Sequence, residues 1–284
     1  GQSRWSPFLD VLLVVRGTKS VPDMLTDALC EAVDYRGGKA HEGCLRAGQY
    51  LVEKHGKVLD ELLQASGKSQ INLTIIGHSL GAAAATIAGM ELNDRRNVNV
   101  NVVGFGCPAL LSHELSKSVQ PIVTTVVGDA DVIPRTSAAT VANLLLDVSE
   151  HDWTKGAQRD VRQALDELQR NAPVLIGPED VERAAGFVDG ILERKVRPSI
   201  KTATKERNEA VLFPPGTCIH FYRDGTGISG SRAPCTFFGE IDVTRTMVDD
   251  HTIQYGYKRT FLDLMRQHHR DEHFSFKDSQ GGSE

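Results

Sequence analysis

The residues best suited to covalent chemistry are Gly77-His78-Ser79-Leu80-Gly81, which match the pattern G-x-S-x-G. In this pattern a serine occupies a sharp turn between a strand and a helix, where its hydroxyl is presented for nucleophilic attack. The two glycines let neighbouring backbone pass close to the turn without a clash of Cβ atoms. The motif predicts Ser79 as a nucleophile, held by Gly77, His78 and Gly81, with a structural role for His78.

A serine nucleophile needs an acid and a base, which on a strand–turn–helix scaffold of this kind follow it in that order. The strand-like run Ile122–Val127 ends in a loop that carries two carboxylates, Asp129 and Asp131. Both positions would place a carboxylate at the same end of the strand. Position alone does not separate them.

The base is expected later in the chain, and His251 has the most suitable place. It lies in a loop between a predicted strand, Gly239–Thr244, and a predicted closing helix, where a side chain can reach the carboxyl ends of the strands. His220 falls inside a strand-like run, and the other candidates lie in an insertion or a charged tail. Those other histidines are His151, His268, His269 and His273. We predict that His251 activates Ser79 and that a carboxylate orients its ring.

The developing oxyanion requires two donors. The first is the backbone N–H of Leu80, the residue after the nucleophile, at the N-terminus of the following helix. The second is expected at Thr18, because Arg16-Gly17-Thr18 directly follows the first predicted strand and a glycine there allows a tight turn.

The elements that must position these residues alternate between strands and helices. This alternation predicts an α/β fold with a mostly parallel central sheet and helices on both faces. The predicted strands are Asp10–Val15, Asn72–Ile76, Val98–Phe105 and Ile122–Val127, and the predicted helices are Gly43–Ser66 and Leu80–Leu92. The alanine run Ala82–Ala85 removes bulk where the second helix approaches the sheet.

The segment 138–210 interrupts this alternation and is predicted to be a helical insertion within one domain, 1–284. Amphipathic helices are expected at Ala157–Asn171 and Asp180–Lys195, and a basic loop follows. Its six cationic residues raise the hypothesis of contact with anionic lipid headgroups, and a solvated flexible loop is the alternative. They are Arg194, Lys195, Arg197, Lys201, Lys205 and Arg207.

After the insertion, strand-like character returns. Strands are predicted at Cys218–Tyr222 and Phe237–Val243, and a last helix from about Thr252 to His268. The charged residues Arg266–Asp278 indicate a solvated terminus.

Composition narrows the class of protein. A net charge of −5 is atypical of a nucleic-acid binder, and no apolar run reaches the roughly 18 residues of a membrane span. The five cysteines lack the spacing of a metal site and are interpreted as buried free thiols of a reducing compartment. We expect a cytoplasmic or peripheral membrane location, and the sequence leaves open whether a membrane or targeting segment precedes Gly1.

Several motifs taken together resemble the class 3 lipases, the fungal triacylglycerol lipase group, and most of all the sn-1-specific diacylglycerol lipase branch. The resemblance runs in order from about residue 10 to 265 and is weakest in the insertion. It is carried by Val14–Thr18, Asp23–Asp27, Gly77–Gly81, Phe105–Pro108, Asp131–Pro134, Leu212–Gly216 and Met247–His251.

The resemblance implies an α/β-hydrolase fold and assigns the acid to Asp131, whose Asp-x-Ile-Pro context matches the family. It also assigns Thr18 to the oxyanion hole, supports His251, and implies a structural role for the segment His41-Glu42-Gly43. The apolar stretches Ala109–Leu111 and Val141–Leu146 are candidates for an acyl pocket, and ordinary core is the alternative.

The implied activity is hydrolysis of a lipid ester, with release of a fatty acid from diacylglycerol at a membrane or lipid-droplet surface. No cofactor or metal is expected for this chemistry. A phospholipase A1 or a broader acylglycerol esterase would use the same residues. A catalytically silent lipase-like interaction module is the alternative of another class, and the retained Ser79, Asp131 and His251 argue against it.

Overall fold

The computed structural model describes residues 6–17, 32–150, 159, 162–163 and 211–278. The chain divides into two compact units, one formed by Gly1–Thr140 with Ala210–Glu284 and the other by Val141–Glu209. Of the second, the structure describes mainly the continuation of one helix that begins in the first.

The described residues include a six-stranded sheet, a two-stranded hairpin and several helices, one of which continues into the second unit. The strands are β1 (Phe8–Val15), β2 (Ala32–Tyr35), β3 (Gly38–His41), β4 (Gln70–His78), β5 (Val98–Phe105), β6 (Val123–Gly128), β7 (Thr217–Asp224) and β8 (Gly227–Ala233). The helices are α1 (Glu42–Ser66), α2 (Leu80–Leu92), α3 (His113–Ser118), α4 (Ala138–Glu150) and α5 (Lys258–Asp278). Short 3-10 turns occupy Ile133–Arg135 and Cys235–Phe238, and a π turn occupies Ile253–Tyr257.

The large sheet has the order β1-β4-β5-β6-β7-β8. Its first five strands are parallel, and β8 pairs antiparallel with β7 at the edge. Because parallel strands all end at one side of the sheet, the loops after β1, β4, β5 and β6 converge there. The predicted α/β-hydrolase fold class, with its mostly parallel central sheet, is confirmed.

One face of the sheet is covered by α1 and α2. Burial alternates along β4, and Ile71, Leu73 and Ile75 are fully buried on this face. Small residues set the spacing of the layers. A Cβ on Gly89 would come within 2.4 Å of Val102 Cγ2, and one on Gly48 within 2.3 Å of Ile87 Cβ. The apolar, alanine-rich α2 is therefore enclosed between the sheet and α1.

The opposite face is covered by α5 near the carboxyl ends of the strands. The ring of Phe261 meets Phe105 of β5 and Phe221 of β7 edge-on, at centroid distances of 6.0 and 5.5 Å. Helices therefore lie on both faces, as the alternation of elements predicts.

Two predictions near the C-terminal end are wrong. Neither Phe237–Val243 nor the overlapping range Gly239–Thr244 is a strand. The first of these ranges begins in the 3-10 turn, from which Phe238 enters the core. The strand that pairs with β7 is Gly227–Ala233, whose small and polar residues suit an edge.

The closing helix also differs from its prediction. A π turn, Ile253–Tyr257, comes first, and α5 continues through the predicted solvated tail to Asp278. The predicted helices at Ala157–Asn171 and Asp180–Lys195 lie almost wholly outside the described residues. Within the described part of the chain, no helix is both long enough and apolar enough to cross a membrane.

Candidate active site

The turn between β4 and α2 holds Ser79 in an uncommon backbone conformation, with φ 58° and ψ −130°. Gly77 and Gly81 make this turn possible, because a Cβ on Gly77 would lie 2.4 Å from the carbonyl oxygen of Gly81. A Cβ on Gly81 would in turn lie 2.4 Å from the carbonyl oxygen of Val15, at the end of β1. Each glycine of the motif is thus required by a backbone contact.

Three side chains from distant parts of the chain meet at this turn. His251 Nε2 lies 3.0 Å from Ser79 Oγ, and His251 Nδ1 lies 2.9 and 3.1 Å from the two carboxylate oxygens of Asp131. All three residues are at most 1% exposed. The arrangement suits proton transfer from the serine to Nε2, while the carboxylate fixes the ring by accepting from Nδ1–H.

The two carboxylates that chain position leaves undecided have different surroundings. Asp131 faces His251, whereas Asp129 Oδ2 lies 3.4 Å from Arg223 Nε and is partly exposed. Asp129 itself has φ 47°, and its carbonyl oxygen lies 2.8 Å from His220 Nε2. The geometry therefore brings Asp131, and not Asp129, to the base.

Two further donors surround the buried carboxylate of Asp131. The backbone N–H of Ile133 donates to Oδ1 at 2.9 Å, and the Tyr257 hydroxyl donates to Oδ2 at 2.6 Å. Burial raises the pKa of Tyr257 well above its usual value, and the negative charge of Asp131 raises it further. The tyrosine is thus a neutral donor at all working pH values. Tyr257 is a site residue that sequence reasoning missed.

His78 lies beside the base and is more than a spacer in the motif. Its Nε2 is 2.8 Å from the carbonyl oxygen of His251, and the two imidazole rings are 4.8 Å apart. Burial lowers the pKa of His78, and the neighbouring His251 lowers it further. A neutral His78 can donate from Nε2 to the carbonyl without placing a second positive charge beside the base.

Gly106, directly after β5, forms one wall of the Asp131–His251 pair. Its φ is +56°, and a Cβ there would lie 2.7 Å from Asp131 Oδ2 and 3.0 Å from His251 Nδ1. Its N–H donates to the carbonyl oxygen of Val126 at 2.9 Å. The chain therefore needs glycine here on two grounds, backbone conformation and space.

The N-terminus of α2 supplies the candidate oxyanion donors. The carbonyl oxygen of Ser79 accepts from the N–H groups of Ala82 and Ala83. Within the part of the chain that the structure describes, no acceptor is present for the N–H of Leu80, and the helix dipole favours negative charge at this end. Thr18, the second predicted donor, lies outside the described residues. The preceding Gly17 is in place, since a Cβ there would be 2.5 Å from the carbonyl oxygen of His78.

Other predictions from the sequence have mixed outcomes. Ala109–Leu111 does not form an acyl pocket: these residues are at most 1% exposed, and Leu110 and Leu111 belong to the main core. Val141–Leu146 falls in the second unit. His41 caps α1 by accepting from the N–H of Cys44, in agreement with a structural role. The basic residues of 194–207 lie outside the described residues.

The remaining candidate ligands give no metal centre in the described ranges. There, no group of three or more His, Cys, Asp or Glu side chains is placed to hold a metal ion. Four cysteines in these ranges are buried: Cys44, Cys107, Cys218 and Cys235. Burial raises the pKa of Cys218 to about 12, so this thiol stays protonated.

The sheet order and the hydrogen-bonded serine, histidine and aspartate are typical of serine hydrolases of the α/β-hydrolase class. The family model described as lipase (class 3) matches residues 12–141. The resemblance to class 3 lipases is confirmed over these residues.

Individual relatives are similar to parts of the chain. It is 32% identical over 144 residues to diacylglycerol lipase-beta of Mus musculus, covering 47% of this chain and 21% of that protein. It is 28% identical over 239 residues to diacylglycerol lipase-alpha of Homo sapiens, covering 74% of this chain and 21% of that protein. Lipase II from Rhizopus niveus, a solved structure, aligns with a TM-score of 0.39 and 29% identity over 44% of this chain and 51% of that one. The chain thus spans about a fifth of each diacylglycerol lipase.

Proposed function

We propose that this chain is a serine-dependent lipid ester hydrolase that releases a fatty acid from diacylglycerol through an acyl-enzyme. The observation that carries the proposal is the continuous path from Ser79 Oγ through His251 to Asp131, with links of 3.0 and 2.9 Å. A path of this kind lets a buried serine lose its proton as it attacks a carbonyl.

In the first half of the reaction, Ser79 Oγ attacks the ester carbonyl and its proton passes to His251 Nε2. The imidazolium that forms faces Asp131, and the neutral His78 adds no opposing charge. The N–H of Leu80, together with Thr18 from the loop after β1, receives the oxyanion. His251 then gives its proton to the departing alcohol oxygen, and the acyl group remains on Ser79.

In the second half, water takes the place of the alcohol. His251 removes a proton from the water as its oxygen attacks the acyl carbonyl, and the same proton then returns to Ser79 Oγ. A fatty acid leaves, and the starting state is restored. This chemistry requires only groups of the chain and water.

The choice of diacylglycerol is supported by the names of the two mammalian relatives, at 32% and 28% identity. We further propose that the chain acts at a membrane or lipid-droplet surface, where such substrates lie. Contact of the basic residues 194–207 with anionic lipid belongs to this proposal. Sedimentation with vesicles of increasing anionic lipid content tests it, and binding that does not respond to that content contradicts it.

Fluorophosphonate labelling tests the nucleophile. We expect the unaltered chain to be labelled at Ser79 and the Ser79→Ala variant to remain unlabelled. Because Ser112 is a serine at the start of a different helix, Ser112→Ala is a control that should label normally. Labelling that survives Ser79→Ala would assign the nucleophile elsewhere, and an unlabelled native chain would favour the silent interaction module.

A substrate panel tests the second part. Diacylglycerol, triacylglycerol, monoacylglycerol and phospholipid are compared at equal interfacial concentration, beside Ser79→Ala. We expect fastest fatty acid release from diacylglycerol. Faster release from phospholipid would replace the proposal by a phospholipase A1, and equal rates would indicate a broad acylglycerol esterase.

A further inference from the structure

A cavity of about 750 Å³ lies directly behind the candidate active site, on the sheet face opposite α2. Its floor is formed by the ends of β1, β4 and β5, and its roof by the π turn and the first residues of α5. This volume falls within the roughly 300–1,000 Å³ typical of small-molecule sites. The proposed reaction does not use the cavity.

The lining is mainly apolar and includes two cationic side chains. Its apolar residues include Val14, Ile76, Phe105, Ile253 and Phe261. Two of these are widely exposed for their type, Val14 at 67% and Ile253 at 59%, so the cavity opens to the surface. Binding of an apolar chain in such a cavity is favourable, because it removes water from apolar surface.

The fixed charges in the lining are cationic. Arg16 and Lys258 contribute to it, and among the described lining residues there is no acidic side chain. Neither cation takes part in an ion pair in the part of the chain that the structure describes. The cavity therefore suits a ligand that combines an apolar chain with an anionic head.

We propose that this cavity is a binding site for a long-chain fatty acid anion, with its chain among the apolar residues and its carboxylate towards Arg16 and Lys258. The choice of a fatty acid among anionic amphiphiles rests on the proposed function, whose product it is. The existence of the site rests on the cavity alone.

The position of the site connects it to catalysis. His78 and Tyr257 both line the cavity. On their other sides, His78 contacts the carbonyl oxygen of His251, and Tyr257 donates to Asp131. A fatty acid in the cavity therefore touches the two residues that hold the base and the acid, and its binding stabilises their observed positions.

Binding is measured on Ser79→Ala, so that no acyl-enzyme forms. Calorimetric titration with sodium oleate below its micellar concentration should show one saturable site. Thermal unfolding in the presence of oleate should show a raised midpoint. Oleyl alcohol, which has the same chain and no charge, should bind more weakly. Absence of saturable oleate binding, or equal affinity for the alcohol, overturns the proposal.

Matched variants locate the site. Val14→Trp places an indole in the cavity mouth and should weaken oleate binding by more than about tenfold. Leu12→Trp is its control, because Leu12 lies two residues away on the same face of β1, is 62% exposed, and does not line the cavity. Equal effects of the two substitutions contradict this location.

The cations are tested in the same way. Lys258→Gln should weaken binding of oleate about twofold to fivefold, the range for a single exposed charge, and leave oleyl alcohol unaffected. Arg259→Gln, at the next position of α5, which is also exposed, should change neither affinity.

Photocrosslinking separates this site from an acyl groove at the nucleophile. A diazirine-bearing stearate should label peptides of β1 and α5 in Ser79→Ala. It should do so equally in the native chain after Ser79 has reacted with a long-chain fluorophosphonate. Loss of labelling after that reaction would place the fatty acid in the acyl groove and refute a separate site. Failure of the fluorophosphonate to react would count against the proposed function and would leave the Ser79→Ala binding data valid.

Discussion

Replacement of Tyr257 by phenylalanine removes one hydroxyl from the surroundings of Asp131 and leaves the aromatic packing in place. The ring meets His78 and Phe105 edge-on at 5.6 and 5.8 Å, and phenylalanine keeps both contacts. The variant loses the 2.6 Å bond to Asp131 Oδ2. It also leaves the N–H of Gly128 without its 3.3 Å acceptor.

The magnitude follows from the charge and burial of the acceptor. A hydrogen bond to a charged group contributes about 1.5–3 kcal/mol. We expect the free energy of unfolding to fall by about that amount. If the same loss of stabilisation raised only the free energy of the transition state, kcat would decrease about 10- to 150-fold. KM should change little, because Tyr257 does not touch the reacting ester in the proposed mechanism.

The assay uses a soluble ester whose hydrolysis is followed over a range of pH, together with thermal unfolding. Tyr255→Phe is the matched control, because Tyr255 is 69% exposed and lies on the same π turn. A purely structural role for Tyr257 would lower stability and leave kcat unchanged for the folded fraction. Equal kcat values for the two variants would refute the reasoning.

Three further predictions follow from the same site. Asp131→Asn should reduce kcat by orders of magnitude and Asp129→Asn only slightly, because one carboxylate alone contacts the base; equal losses in esterase assays would contradict this. Gly106→Ala should cost about 1–3 kcal/mol in backbone strain and should reduce activity at least tenfold, because the added Cβ displaces the acid–base pair. Gly37→Ala is the control: its backbone is also in the left-handed region but its Cβ would meet no neighbour, so only thermal stability should fall. The folded protein holds the pKa of His78 below its unfolded value, so this residue's contribution to stability is complete above about pH 6.5 and is lost as the pH falls through the folded pKa. Denaturant titrations should therefore show that the free energy of unfolding falls less between pH 7 and pH 5 in His78→Gln than in the native chain. His55→Gln, at an exposed position, is the control and should behave like the native chain.

Features that depend on short-range sequence could be predicted well. The glycine spacing around Ser79 states the local turn directly, and the bounds Val98–Phe105 and Leu80–Leu92 agree with the structure. Apolar runs that end in small residues mark buried parallel strands, since both faces of such strands are covered.

Features that depend on contacts between distant parts of the chain could not be predicted from the sequence. Gly227–Ala233 has almost no apolar alternation, because it forms an edge whose pairing is set by the turn before it and by β7. Phe237 and Phe238 resemble strand residues in sequence, yet they pack from a 3-10 turn, ring against ring at 5.1 Å. The π turn, which directs Tyr257 towards Asp131, has no marker in the hydrophobic pattern.

The strained conformation of Ser79 has a consequence for the evolution of this chain. A side chain in this region of backbone space costs about 1–3 kcal/mol, whereas glycine adopts it at little cost. A Ser79→Gly change should therefore make the folded protein more stable while abolishing the proposed chemistry. Selection for persistence in the cell and selection for catalysis thus act in opposite directions at position 79. In a lineage no longer selected for activity, substitution of Ser79 by glycine would be tolerated and would increase the stability of the folded protein.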